Sequence, residues 1–300
     1  MFKLLSKESN IFSIPAYIGF LLVIVIAFNI FNFNTLDLIS AVITFAGIAL
    51  GYFLINKINL TYQTHLPLFL YTFLIFAFYP GNLDIGLAIS LFTNSYLLFL
   101  LTSNEESSRQ SSYIFVGAIL ALNFIFLPTN FLLGFFVLMH IIGTSDRIAL
   151  NIFRLLFGIL LVAAGYFSVV FFLNYNDWDS AYLPILHLKP QYKFGPLYIL
   201  IPVILLLFYA VLNHFQHYNE KSPNSRFKYT FVLVFTLSQL ITVVLFMGDN
   251  YEYLLLMALP SSIILSRMLR FLPKYWMQEV TLWVIILSLL AFKIADYTIF

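Results

Sequence analysis

Phe246-Met-Gly-Asp-Asn-Tyr-Glu-Tyr-Leu-Leu-Leu-Met-Ala-Leu-Pro260 joins two apolar runs of helical length through a tight acidic loop. Gly248 and Asn250 are turn formers, and Asp249 and Glu252 are the only charges. Pro260 then interrupts the second apolar run. A charged turn between two such runs belongs at the rim of a membrane. Working outward from it means asking which rim, and what else lies there.

The composition requires a membrane. Of 300 residues, 62% are apolar and only 9% are charged, where a soluble domain carries about 25% charged residues. Mean hydropathy is +0.95. Too little polar surface is available to solvate a globule of this size. Thirty-five Phe and nineteen Tyr suit lipid contact and interfacial belts. With no Cys, disulfides, thiol catalysis and Cys-ligated metals are excluded. Met1-Phe-Lys-Leu-Leu-Ser-Lys7 leads into a long apolar segment with no Ala-x-Ala-like cleavage site, which reads as an uncleaved first helix.

A spanning helix needs about 20 mostly apolar residues. Eleven segments qualify or nearly so, at 13–33, 37–56, 62–79, 83–102, 113–127, 130–143, 150–173, 196–217, 228–247, 252–271 and 279–299. The fifth and sixth, at about 15 residues, rise only about 22 Å and read as short or re-entrant. The expected fold is all-α: a polytopic membrane helix bundle forming a single domain over 1–300. Placing the N-terminus in the cytoplasm and alternating puts twelve of the fifteen Lys and Arg inside. Only Lys189, Lys193 and Lys293 remain outside. That bias is the positive-inside pattern, and it sends the C-terminus and the opening loop to the extracytoplasmic face.

Acids sort the other way. Seven fall outside: Asp37, Asp84, Asp177, Asp179, Asp249, Glu252 and Asp296. Asp37, Asp84, Asp249 and Glu252 sit in very short loops, which pin carboxylates at helix ends where they can converge. Such a set offers a general base, a divalent-metal site or a cationic-group site. The plainer reading is capping, since an acid in a helix's first turn complements the macrodipole. The longest outer loop, 174–196, mixes Trp178, Tyr182, Leu183 and Leu188 with few charges and suits a segment lying in the interface. Its functional reading is a lid, with Trp178 at the interface and His187 as an acid–base group.

Within the membrane, Asn94 and Gln239 lie near the middle of their segments, where amides need partners. Gly47 and Gly51 form a GxxxG that permits close helix approach. Arg154 and Arg267 lie about a turn from the inner rim, within snorkelling reach of water. Lys293 and Asp296 are spaced to pair on the last helix. His214 and His217 read as polar rim. No phosphate loop, metal motif or cofactor motif is present, so no cofactor is expected.

Three stretches carry a resemblance: Ala121-Leu-Asn-Phe-Ile-Phe-Leu-Pro-Thr-Asn-Phe-Leu-Leu-Gly134, Arg154-Leu-Leu-Phe-Gly-Ile-Leu-Leu161 and Asp249-Asn-Tyr-Glu-Tyr-Leu-Leu-Leu-Met-Ala-Leu-Pro-Ser261. In these the chain resembles an uncharacterised family of Bacteroidota integral membrane proteins, which implies an inner-membrane location and no known activity. Asp37, Asp84 and the 174–196 loop also resemble, by position, the plan of GT-C membrane glycosyltransferases, which use lipid-linked donors. The first outer loop here is only a few residues, where those enzymes carry a long one. The expected role is a non-catalytic subunit or scaffold of a cell-envelope assembly, and the alternative is a GT-C-like enzyme at the periplasmic face. Expected partners are the bilayer, other membrane subunits or a lipid-linked substrate, and not nucleic acid.

The topology is testable with reporter fusions. A phosphatase fused after Asn250 is expected to be active and one fused after Glu220 inactive; the opposite pattern would overturn the orientation.

Overall fold

The computed structural model describes residues 1–10, 12–29, 35–58, 60, 63–81, 83–103, 106–174, 182–190 and 195–299, leaving aside the side chains at 106–111, 187 and 297–299. Among the described residues the chain is helical with no strand, apart from an isolated bridge between Glu8 and Thr64. After a one-turn helix α1 (Phe2–Leu5) come α2 (Ser13–Asn29), α3 (Thr35–Ile58), α4 (His65–Phe78), α5 (Ile85–Leu101), α6 (Glu106–Phe126) and α7 (Leu132–Thr144). These are followed by α8 (Ile148–Phe172), α9 (Ile201–Gln216), α10 (Pro223–Phe246), α11 (Leu255–Phe271) and α12 (Tyr275–Ile299). Each of the eleven apolar segments becomes a helix. Six stretches are long and apolar enough to cross a membrane, counting the 3₁₀ turns that lead into α9 and α11; α2, α4, α5 and α7 are shorter.

The fifth segment is longer than its apolar part. α6 begins at Glu106, and its 21 residues rise about 32 Å. Its polar start, Glu106–Ser112, carries no hydropathy signal. α7 is short, with 13 residues entered through a 3₁₀ turn at Pro128–Phe131. The pair is therefore one full-length helix and one short helix.

Burial sorts the bundle into centre and periphery. In α11, with its leading turn, 83% of the most apolar stretch is buried, against 11% in α8. α11 packs on α4, ten of whose fourteen residues are buried. A helix buried all round carries small polar residues only if their hydroxyls are satisfied. Ser262 and Ser266 of α11 donate back to the Leu259 and Ile263 carbonyls. Pro260, inside α11, removes one backbone donor, which a buried bundle helix tolerates.

Glycines set the closest approaches. A Cβ on Gly47 would lie 2.7 Å from the Phe92 backbone nitrogen, so α3 and α5 touch backbone to backbone. At the α6–α8 crossing a Cβ on Gly117 would strike the Leu155 carbonyl, and one on Gly158 the Ile114 carbonyl. In lipid, where hydrophobic drive between helices is absent, such contacts supply van der Waals attraction.

Loops collect at two rims. At the rim carrying the N-terminus, the Met1 amine pairs with Glu279 at 2.8 Å, Lys228 Nζ donates to the Ile58 carbonyl at 2.9 Å, and Arg267 reaches Ser225. At the other rim, Lys293 donates to the Tyr79 carbonyl, Thr129 bonds Tyr253 and the Lys189 amide donates to the Leu245 carbonyl. These two sets of contacts fall at opposite ends of the helices they join.

Gly47→Ala and Gly158→Ala are expected to lower the unfolding midpoint in detergent, costing about 1–3 kcal/mol each through overpacking. Gly19→Ala, where a Cβ meets nothing within 4 Å, is the neutral control.

Candidate functional site

The rim opposite the N-terminus is built on two turns. Gly81, at φ +115°, takes the chain from α4 toward α5, and Gly248, at φ +53°, turns it from α10 toward α11. Both conformations favour glycine. α5 then starts at an N-cap: the Asp84 carboxylate accepts from the Gly86 amide at 3.0 Å. Gly86 has no Cβ, which lets the Phe126 carbonyl of α6 lie against this helix start. The second turn continues into a 3₁₀ turn, Tyr251–Leu254, that presents Glu252.

These turns bring Asp84 and Glu252 together. The backbone N–H of Asp84 is directed at the Glu252 carboxylate, and the two negative charges act on each other. Glu252 Oε2 is shut off from solvent and has no hydrogen-bond partner. Both charges reach the Tyr253 phenol, which shares a hydrogen bond with Thr129 at 3.3 Å. The Glu252 charge also reaches Tyr79, whose hydroxyl receives Asn29 Nδ2 at 2.6 Å.

The other two acids of the set are less integrated. Asp249 acts on Tyr251, as does Asp296 of α12. Asp37 is half-buried in the first turn of α3, a turn away from Ser40, whose hydroxyl bonds the Leu83 carbonyl. Asp37 therefore shares this rim, but among the described residues no hydrogen bond or ion pair joins it to Asp84, Asp249 or Glu252. Trp178, Asp177 and Asp179 lie outside the described residues. His187 closes the 3₁₀ turn Pro184–His187, and its side chain is also outside the description. Lys293, on the buried side of α12, donates to Tyr79 and lies 4.7 Å from the Phe28 ring centre, with its charge also felt by Asp296.

Beside the acidic pair a groove of about 660 Å³ opens between α6, α7 and α8. Its walls are apolar, from Leu120 and Phe124 through Leu138 to Ile159 and Val170. Leu156, Phe167 and Leu183 on its border are about half exposed or more, so it faces sideways toward lipid. Near its end at this rim, Tyr166 and Tyr182 join hydroxyls at 2.7 Å. One strongly polar group lines it: Asn130, 3% exposed, with neither amide atom hydrogen-bonded. Asn130 follows Thr129, so the groove and the acidic pair meet through Tyr253.

The mid-membrane amides differ from each other. Asn94 accepts from Asn123 Nδ2 at 3.2 Å, and Ser90 donates to Asn123, making a polar ladder between α5 and α6. Gln239 of α10 is fully buried with both amide atoms unpartnered. At the N-terminal rim two expectations change. Arg267 does not reach out to water: it is 8% exposed, lies over the Tyr229 ring at 4.6 Å and bonds Ser225. His214 is buried against Tyr229 while His217 stays exposed, because the helix surface turns between them.

Sequence reasoning missed Asn130, Thr129, Tyr253 and Tyr79. The signal for the first two was a polar pair placed directly after Pro128 in an otherwise apolar hairpin. Nothing local marks the two tyrosines.

A carboxylate buried beside a like charge is strained in the folded state. Glu252→Gln is therefore expected to raise stability by about 1 kcal/mol, read as a higher unfolding midpoint in detergent. A lower midpoint would mean that the carboxylate is a structural group.

No curated protein and no solved structure matches the chain. The sequence profile of DUF6427, a family of unknown function, matches residues 1–299. The chain belongs to that family.

Proposed function

We propose that this is a multi-pass protein of the bacterial inner membrane, in a member of the Bacteroidota, that holds a lipid-linked molecule at the extracytoplasmic face as a non-catalytic subunit of an envelope assembly. The observation that carries the reading is the lipid-facing groove with Asn130 buried and unpartnered in its wall. Binding sites of this size are mostly apolar with a few placed polar groups. A buried amide without partners costs roughly 1–3 kcal/mol, a cost that a ligand's polar head offsets. A polyprenyl or acyl tail fits the apolar walls, and its phosphate or first sugar would lie at Asn130. The basic bias toward the N-terminal rim supports placing the groove's polar end in the outer leaflet.

A second reading, a GT-C-like transferase, is favoured by one specific feature. Glu252 carries a buried, partnerless oxygen beside Asp84, within a few residues of where the head would lie. A carboxylate so placed is suited to take a proton from an acceptor hydroxyl.

The test is photolabelling in nanodiscs with a diazirine-bearing polyprenyl phosphate. Labelled peptides are expected from α6 and α8. Gly134→Trp enters the groove from a position where a Cβ meets nothing within 4 Å. It is expected to cut labelling roughly tenfold with the unfolding midpoint unchanged. Labelling unaffected by Gly134→Trp overturns the proposal. Glu252→Gln separates the two readings: the subunit keeps both binding and complementation of a deletion strain, and the enzyme keeps binding but loses complementation.

A further inference from the structure

The rim that carries the N-terminus gathers cations in a way that loop charge alone does not explain. Loop lysines and arginines ordinarily extend into water, but here they fold back over aromatic rings. Lys221 Nζ lies 3.0 Å from His214 Nδ1 and 5.8 Å from the Tyr229 ring centre. Arg267 covers the same ring at 4.6 Å. Arg226 lies over Tyr218 at 5.3 Å and its Nε donates to the Lys221 carbonyl at 2.8 Å. Lys221 and Arg226 are both half-buried, and among the described residues neither makes an ion pair with a carboxylate. Burial and the neighbouring Arg267 charge pull the Lys221 ammonium below its ordinary value, opposed by Glu220.

A groove leads from this cluster into the membrane. It has a volume of about 440 Å³ and runs between α7 and α10, with Arg226 and Tyr218 at its polar end. Met139, Phe227, Phe231 and Val234 form the apolar part. At Gly143 the wall is bare: a Cβ there meets nothing within 4 Å. One end of the groove is thus cationic and the rest is mostly apolar, with His140, Thr144 and Thr230 also in its wall, and Met139 on its border is about half exposed. Half-buried Arg226 lines the groove, and Lys221, whose carbonyl it holds, stands beside it in the same turn; cations so placed attract an anion.

We propose that this groove binds an anionic phospholipid, with an acyl chain along α7 and α10 and the phosphate on Arg226 and Lys221. The site belongs to the opposite rim and the opposite leaflet from the groove at Asn130, so the two proposals stand or fall separately. The phosphodiester would replace solvent at Arg226 and relieve the repulsion between Lys221 and Arg267. A bound lipid would also fasten the α9–α10 turn to α7, which is not its neighbour in sequence.

The experiment titrates the full-length protein, in a neutral detergent, separately with phosphatidylglycerol, phosphatidylcholine and sodium phosphate. It reads retained lipid by mass spectrometry and the unfolding midpoint. Phosphatidylglycerol is expected to stay bound at about one molecule per chain and to raise the midpoint, with phosphatidylcholine retained roughly tenfold less. Lys221→Gln with Arg226→Gln is expected to abolish the preference. Gly143→Trp, which removes no charge, is expected to lower retention as strongly. Equal retention of phosphatidylcholine overturns the proposal, as does a midpoint rise from sodium phosphate matching that from the lipid. Wild-type retention in Gly143→Trp also overturns it, by reducing the effect to surface attraction.

Discussion

Hydrocarbon offers no hydrogen bonds, and every other choice in this chain follows from that. A backbone that must satisfy itself becomes helical from one rim to the other. Serines in α11 bond back to their own helix, Lys228 covers the exposed end of α3, and Asn123 binds Ser90 and Asn94 on the neighbouring helix. Against that background the polar groups left unsatisfied stand out. The amides of Asn130 and Gln239 and one carboxylate oxygen of Glu252 are held where neither water nor protein serves them, and natural proteins tolerate such costs mostly where function requires them.

Two grooves, one at each rim, follow from how the bundle divides labour. The centre is α11 and the buried side of α4, while the outer face of α4 carries a further apolar groove of about 470 Å³ against α2. The periphery is looser, and α8 in particular is nearly all lipid-facing. Both grooves border α7, the short helix. α7 lines both along its length, with Gly134 and Leu138 in one and Met139 and Gly143 in the other.

The fold was largely legible in the sequence, because apolar run length is a direct readout of spanning helices. The exceptions have physical causes. The first turns of α6 are polar, so hydropathy began that helix too late, at 113 instead of Glu106. Asp84 was readable as a cap from its place before an apolar run, and it is one. That Asp84 meets Glu252 was not readable, since the α4–α5 and α10–α11 turns are neighbours only after α4 and α11 have packed. The inward turn of Arg267 and His214 was hidden because a charge near a helix end is ordinarily solvated. Its aromatic partner, Tyr229, lies on another helix, so local sequence carries no trace of the attraction.

The crossing of α6 and α8 at Gly117 and Gly158 leaves no room for a side chain, and the helices touch there through backbone. The Asn130 groove runs along α8 across that contact, from Leu155 past Gly158 to Val170. From Gly158 to Val170 is an arm of about 18 Å. The Tyr166–Tyr182 bond sits near the end of that arm and ties the far half of α8 to the chain that follows it, closing one end of the groove.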